Sequence, residues 1–181
     1  MNEPIETIKH NGHTINIYPD HDAESPREWD NLGTMLCFHK RYVLGDKHDL
    51  KSDEFYGWED VEYYIEHELD AAVILPLYIY DHGGVTISTT PFSCPWDSGQ
   101  VGFIYISKEK IRKEFGIKKI TQKVKERMTN LLLSEVKTYD MFLTGQVYGY
   151  EIEGTGDSCW GFYGEKEAIE QAKEAVGCLI S

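Results

Sequence analysis

Residues 72–80 read AVILPLYIY, residues 81–84 read DHGG, residues 85–90 read VTISTT and residues 101–106 read VGFIYI. The two runs flanking Asp81-His82-Gly83-Gly84 are β-branched and aromatic, which predicts a hairpin. Val101 to Ile106 then supplies a third, central strand after the turn-rich stretch Pro91 to Gln100. Pro76 lacks an N–H for the ladder, so it predicts an edge or a bulge at that point. Nearer the N-terminus, Ile5 to Ile17 alternates apolar and polar positions around Asn11-Gly12, a strong hairpin signal. Val147 to Ile152 and Ser158 to Tyr163 repeat the arrangement around Gly154-Thr155-Gly156. Strands that come in hairpins, not alternating with helices, predict an α+β fold. Its mostly antiparallel sheet is built from hairpins and packed with one long and several short helices.

The helices follow from period and punctuation. Ser25-Pro26-Arg27-Glu28 matches a capping box with proline at the first helical position, opening a short helix through Trp29 that Gly33 ends. Thr34 to Phe38 fits strand or helix, and residues 39–53 read as loop. From Glu59 to Asp70, Val61, Tyr64, Ile65 and Leu69 fall on one helical face. Ser107 caps a helix through Phe115, stopped by Gly116. A long helix from about Ile117 to Leu143 would align Ile117, Ile120, Val124, Met128, Leu131, Leu132, Tyr139 and Phe142 at ~100° per residue. Gly145 ends it, and Glu165 to Val176 closes the chain with Ala168, Ala172, Ala175 and Val176 inward.

At 181 residues a single domain, 1–181, is the default. With 41% hydrophobic and 13% aromatic residues the chain is too rich in core-formers for an acidic disordered tail. The 31 acidic and 18 basic residues leave a net −13, which excludes an ordinary polyanion binder and disfavours an acidic membrane surface. The charge is uneven: residues 1–70 hold 17 acids and 6 bases (−11), whereas residues 107–138 hold 4 acids and 10 bases (+6). Cys37, Cys94, Cys159 and Cys178 form no C-x-x-C pair, and no apolar run reaches a membrane span. The N-terminal residues lack a signal-peptide pattern, so the expected setting is a reducing cytoplasm.

Several groups could carry chemistry. Glu59, Glu62, Glu66 and Asp70 would share the polar face of their helix without interleaved lysines. Like charges at this spacing oppose helix formation, so the row is either a solvated face or a protein-binding surface that occupies a basic groove. Lys119, Lys123 and Arg127 at i, i+4, i+8 form the opposite stripe. It reads as a solvated face, a phosphate contact, or a self-association surface for the acidic row of a second copy. Glu135 projects from an apolar face and needs a partner, a Tyr for example, unless it serves function. Asp46 and His48 could supply an acid–base pair. His10, His13 and His21 with Asp20 and Asp22 crowd the first hairpin without metal-ligand spacing, so no metal and no cofactor is expected. Cys94 and Cys159 each neighbour a Trp, which fits buried packing better than a nucleophile without a visible base. Phosphate-loop, dinucleotide and hydrolase-elbow motifs are missing.

Three stretches together carry a resemblance: Ser25 to Met35 (SPREWDNLGTM), Ile87 to Ile106 (ISTTPFSCPWDSGQVGFIYI) and Asp157 to Gly164 (DSCWGFYG). The chain from about residue 18 to the final helix resembles a family of small proteins encoded by phages and mobile elements. The resemblance implies an anti-defence role in the host bacterial cytoplasm, including anti-CRISPR inhibition of Cas9, which holds its guide–target heteroduplex in a positively charged channel. It carries over no catalytic residue. The expectation is therefore a non-enzymatic inhibitor that binds a nucleic-acid-handling effector through Glu59, Glu62, Glu66 and Asp70, with exposed Trp or Tyr as anchors. Two alternatives stand beside it. One is a small nuclease or hydrolase acting on RNA or nucleotides, using Asp46 and His48 or a carboxylate such as Glu135, with Lys119, Lys123 and Arg127 on phosphate. The other is a non-catalytic structural phage protein that pairs with its own copies.

Overall fold

A computed structural model describes residues 3–179. Its strands are β1 (Glu6–His10), β2 (His13–Pro19), β3 (Thr34–Cys37), β4 (Ala71–Asp81), β5 (Val85–Ser88), β6 (Ser98–Ser107), β7 (Val147–Ile152) and β8 (Ser158–Tyr163). Its helices are α1 (Trp58–His67), α2 (Lys108–Phe115), α3 (Gln122–Leu143) and α4 (Glu165–Leu179). All strand pairs are antiparallel, in two four-stranded sheets ordered β1-β2-β7-β8 and β3-β6-β4-β5. The α+β reading holds. The chain divides into two compact units, one spanning residues 27–140 and the other joining the two ends of the chain, up to Pro26 and from Met141. No described helix is long and apolar enough to cross a membrane.

In the unit made from the chain ends, the β1–β2 turn places Asn11 at φ 48° and Gly12 at φ 81°. Both central residues of a type I′ turn need positive φ, which is why Asn-Gly is read so readily. Ile15 and Ile17 of β2 and Tyr150 and Ile152 of β7 pack against Ala168, Ala172 and Val176 of α4. The small alanines let the helix lie close to the sheet. On β7, Gly149 leaves room for the Trp160 ring, whose carbons would lie 2.2 Å from an added Cβ.

In the central unit, the sheet is ordered so that β4 and β6 are interior. Pro76 nevertheless fits, because β5 pairs with β4 only over Tyr78–Asp81, and at Pro76 the strand has its β6 neighbour alone, across from Phe103. The anticipated irregularity lies just beyond it, a register shift between Leu77 and Tyr78. Leu36 and Phe103 meet Val61 and Ile65 of α1 on one face. Their strand neighbours Met35 and Ile104 are also buried, and Ile104 closes on Gly33 together with Leu132 of α3.

Both outer strands of this sheet are closed by carboxylates. Met35 N donates to Asp46 Oδ2 at 2.8 Å while Asp46 N donates to the Met35 carbonyl at 2.9 Å. At the other edge Ile87 N and Thr86 Oγ1 donate to Asp140 Oδ1 at 2.8 and 2.5 Å. An open strand edge is a template for pairing with another chain, and these side chains occupy it.

Three sequence expectations change. The helix from Pro26 through Trp29 is a single 3-10 turn, Pro26–Glu28. It stops because Leu32 N and Gly33 N donate to Glu135 (3.0 Å each) and are unavailable to a helix. Gly33 is thus a close-approach glycine and not a helix stop. The long helix begins at Gln122, so Ile117 and Ile120 lie outside it. Gly116 in the left-handed region ends α2, and Thr121 Oγ1 accepts from Val124 N to start α3 afresh.

Cys37 is buried, and burial, aided by the Asp46 carboxylate and opposed by Arg27, pushes its thiol up to about 12 from 9.0. Above pH 9 the unfolded chain releases this proton and the folded chain keeps it. Stability therefore falls as pH rises, by about 1.4 kcal/mol per unit until the folded thiol titrates. Urea unfolding of Cys37→Ala between pH 9 and 11 should show a slope shallower by about one proton than the parent. Burial also raises Tyr105 and Tyr139, which act in the same direction at higher pH.

Candidate functional site

Two of the side chains expected to do acid–base chemistry, Asp46 and Glu135, are held in a structural cluster. Arg27, only 4% exposed, grips Asp46 with two parallel bonds, Nε to Oδ1 at 2.8 Å and Nη2 to Oδ2 at 2.7 Å. Its Nη1 donates to Glu135 Oε2 at 2.9 Å and Nη2 also donates to the Gly33 carbonyl at 2.8 Å. The other Glu135 oxygen takes the two amides of Leu32 and Gly33. Glu135 is therefore paired as its placement demanded, with arginine and backbone in place of a tyrosine. The nearby Tyr139 hydroxyl instead accepts from Gly45 N at 3.0 Å. A guanidinium is the group that can bridge two carboxylates and a carbonyl at once, since its donors are fixed in a planar fork.

The Asp46–His48 acid–base pair does not form. His48 Nε2 donates to the Cys37 carbonyl at 3.0 Å, its ring meets Phe38 edge-on, and its Nδ1 is buried without a partner. A base must reach the proton it removes, and this nitrogen is sealed.

The surface around α1 has the opposite character. Residues 49–70 hold nine Asp or Glu and one Lys, a net −8. Val61 and Ile65 turn into the core, which leaves Glu59, Glu62 and Glu66 exposed at i, i+3, i+7. Tyr56 is fully exposed and Tyr63 is 60% exposed, the latter stacked on His67 with ring centroids 4.0 Å apart. A wheel drawn from the apolar residues would have found Tyr63, because it falls outside the Val61–Ile65 stripe. Asp60 holds the entry to the helix by accepting from Tyr56 N at 3.2 Å.

Asp70 leaves this row. The helix ends at His67, and Asp70 sits beyond it at φ 47°, bonded to Lys108 Nζ at 2.5 Å. Lys108 and Lys125 also share with Glu62 and Glu66 a hollow of about 340 Å³. The acidic surface is thus Glu59, Glu62 and Glu66, bordered by lysine on one flank.

The basic stripe is broken in turn. Lys119 precedes α3, so only Lys123 and Arg127 share a helix, and Arg127 lies over the Phe115 ring at 4.9 Å. Cys94 is half-buried and Cys159 exposed, which corrects the expectation of two buried thiols. Trp96 next to Cys94 is 91% exposed, and the Cys94 thiol lies 3.8 Å from Asp97 Oδ2. Comparison with family models, curated proteins and solved structures gives no match.

Proposed function

We propose that this protein is a non-enzymatic binding protein that docks its α1 face on a basic surface of a nucleic-acid-handling effector and blocks it. The observation that carries the reading is the outward row Glu59, Glu62 and Glu66 set beside exposed Tyr56 and Tyr63. Carboxylates steer encounter with lysine and arginine, and tyrosine supplies the contact area in which interface energy concentrates. The groups that a nuclease would use, Asp46 and Glu135, are both held by Arg27, and the unpartnered nitrogen of His48 is buried. This supports binding over hydrolysis.

The resemblance to proteins of phages and mobile elements makes CRISPR-Cas9 the first effector to test, because its nucleic-acid channel is positively charged. The purified chain should co-elute with Cas9 and guide RNA on gel filtration and reduce target-DNA cleavage. The association should weaken steeply with salt, since the contact is between exposed charges. Elution as separate peaks with cleavage unchanged would remove Cas9 as the target. Cleavage of the guide by the chain alone would favour the hydrolase reading.

A further inference from the structure

A second polar site lies in the central unit, where the loop after β3 meets the β4 end of the sheet. A hollow of about 300 Å³ is lined there by His39, Arg41, Asp81, Trp96, Asp97 and Gln100, among others. We infer that this hollow binds a neutral saccharide. None of its residues belongs to the α1 face, so the inference stands or falls independently of the proposed function.

The balance of donors and acceptors around the hollow selects the ligand class. Asp81 is engaged by the loop, accepting from the Arg41 guanidinium and, at 3.2 Å, from the Tyr42 hydroxyl. Arg41 remains 70% exposed, with further N–H donors free to reach a ligand. His39 accepts on Nδ1 from the amides of Arg41 and Tyr42 at 3.2 and 3.1 Å, which places its proton on Nε2 and makes its free side a donor. Asp97 Oδ2 accepts from His82 Nδ1 at 3.2 Å and from the Cys94 thiol at 3.8 Å, but the side chain is 39% exposed and its Oδ1 keeps acceptor capacity. Gln100 directs its amide nitrogen to the Gly102 carbonyl at 3.4 Å, which leaves its oxygen as an acceptor.

The site therefore offers donors and acceptors side by side, with opposite charges present together. A cationic ligand would meet Arg41, and an anionic one would meet Asp97. A sugar hydroxyl both donates and accepts, so a polyhydroxylated ring uses the whole set without bringing a charge. Trp96, 91% exposed at the rim, offers an apolar face to the C–H side of such a ring. The volume lies at the lower end of small-molecule sites, which suits one or two sugar rings.

The test is a titration of the intact chain followed by NMR of the Trp96 indole and Arg41 side-chain N–H groups. The probes are D-glucose, D-galactose, D-mannose, N-acetyl-D-glucosamine, maltose, cellobiose, lactose and chitobiose. At least one should shift both resonances saturably in the millimolar range. Trp96→Ala should weaken it about tenfold, with Gln100→Ala weakening it as well. Trp96 is almost wholly solvent-exposed, so its loss leaves the fold intact, which the remaining resonances report. The inference is overturned if no saccharide moves these resonances at tens of millimolar. It is equally overturned if Trp96→Ala binds as well as the parent, or if adenosine, phosphate or methylammonium binds there more tightly than every sugar.

Discussion

Gly102→Ala should unfold the central unit or lower its stability by about 3 kcal/mol or more, the upper range for forcing atoms into a packed site. Gly102 lies opposite Cys37 in the β3–β6 ladder. A Cβ there would stand 1.8 Å from the Leu36 carbonyl oxygen and 2.9 Å from its carbon. Both are backbone atoms, so no rotamer change relieves the collision, and β3 must separate from β6. The loss would expose Leu36 and Phe103, which pack on α1, so the same substitution should also disorder the acidic surface. Gly99→Ala is the control in the same strand, because nothing lies within 4 Å of its added Cβ. Thermal melts followed by circular dichroism should show Gly99→Ala near the parent and Gly102→Ala far below it or without a transition.

Arg27→Met should cost about 3–5 kcal/mol, the range for removing one partner from a buried ionic cluster. The loss strands Asp46 and Glu135, whose side chains are 22% and 13% exposed, without their shared counter-charge. It also releases the Gly33 carbonyl. Arg27→Lys should recover little, since one ammonium cannot span both carboxylates and that carbonyl. Adding Asp46→Asn and Glu135→Gln to Arg27→Met should restore a substantial part of the loss, because neutral amides no longer suffer the uncompensated charge. Urea melts of the single and combined variants give the coupling directly. Equal stability of Arg27→Met and the parent would contradict a structural role for the cluster.

These sites also mark where sequence reading succeeds and where it stops. The β1–β2 and β4–β5 hairpins, the Ser107 cap and the Gly116 stop were legible because each is fixed by neighbouring residues. Glu135 was legible in kind, since a carboxylate on an apolar helix face requires a partner. Its partner was not, because Arg27 lies 108 residues away in sequence. Asp46 read as half of a catalytic pair for the same reason. Its obligations are to Arg27 and to the edge of β3, and neither is written within the motif Asp46-Lys47-His48-Asp49. Gly33 resembled a helix stop, yet its lack of a side chain answers Leu132 and Ile104. The acidic row was visible from spacing, but Asp70 fell out of it because the helix ends three residues earlier. Trp96 carried no sequence sign of its exposure.

If α1 docks on a basic partner through its carboxylates, reversing their charge should abolish the contact. Glu59, Glu62 and Glu66 are exposed and Val61 and Ile65 carry the packing, so Glu59→Lys, Glu62→Lys and Glu66→Lys together should leave the fold unchanged by circular dichroism. Titrated into a Cas9–guide DNA-cleavage assay beside the parent, the triple variant should need at least about a hundredfold more protein for equal inhibition. That corresponds to roughly 1 kcal/mol lost per reversed contact. Inhibition at the parent's concentration by the folded variant would contradict the claim and place the contact elsewhere on the molecule.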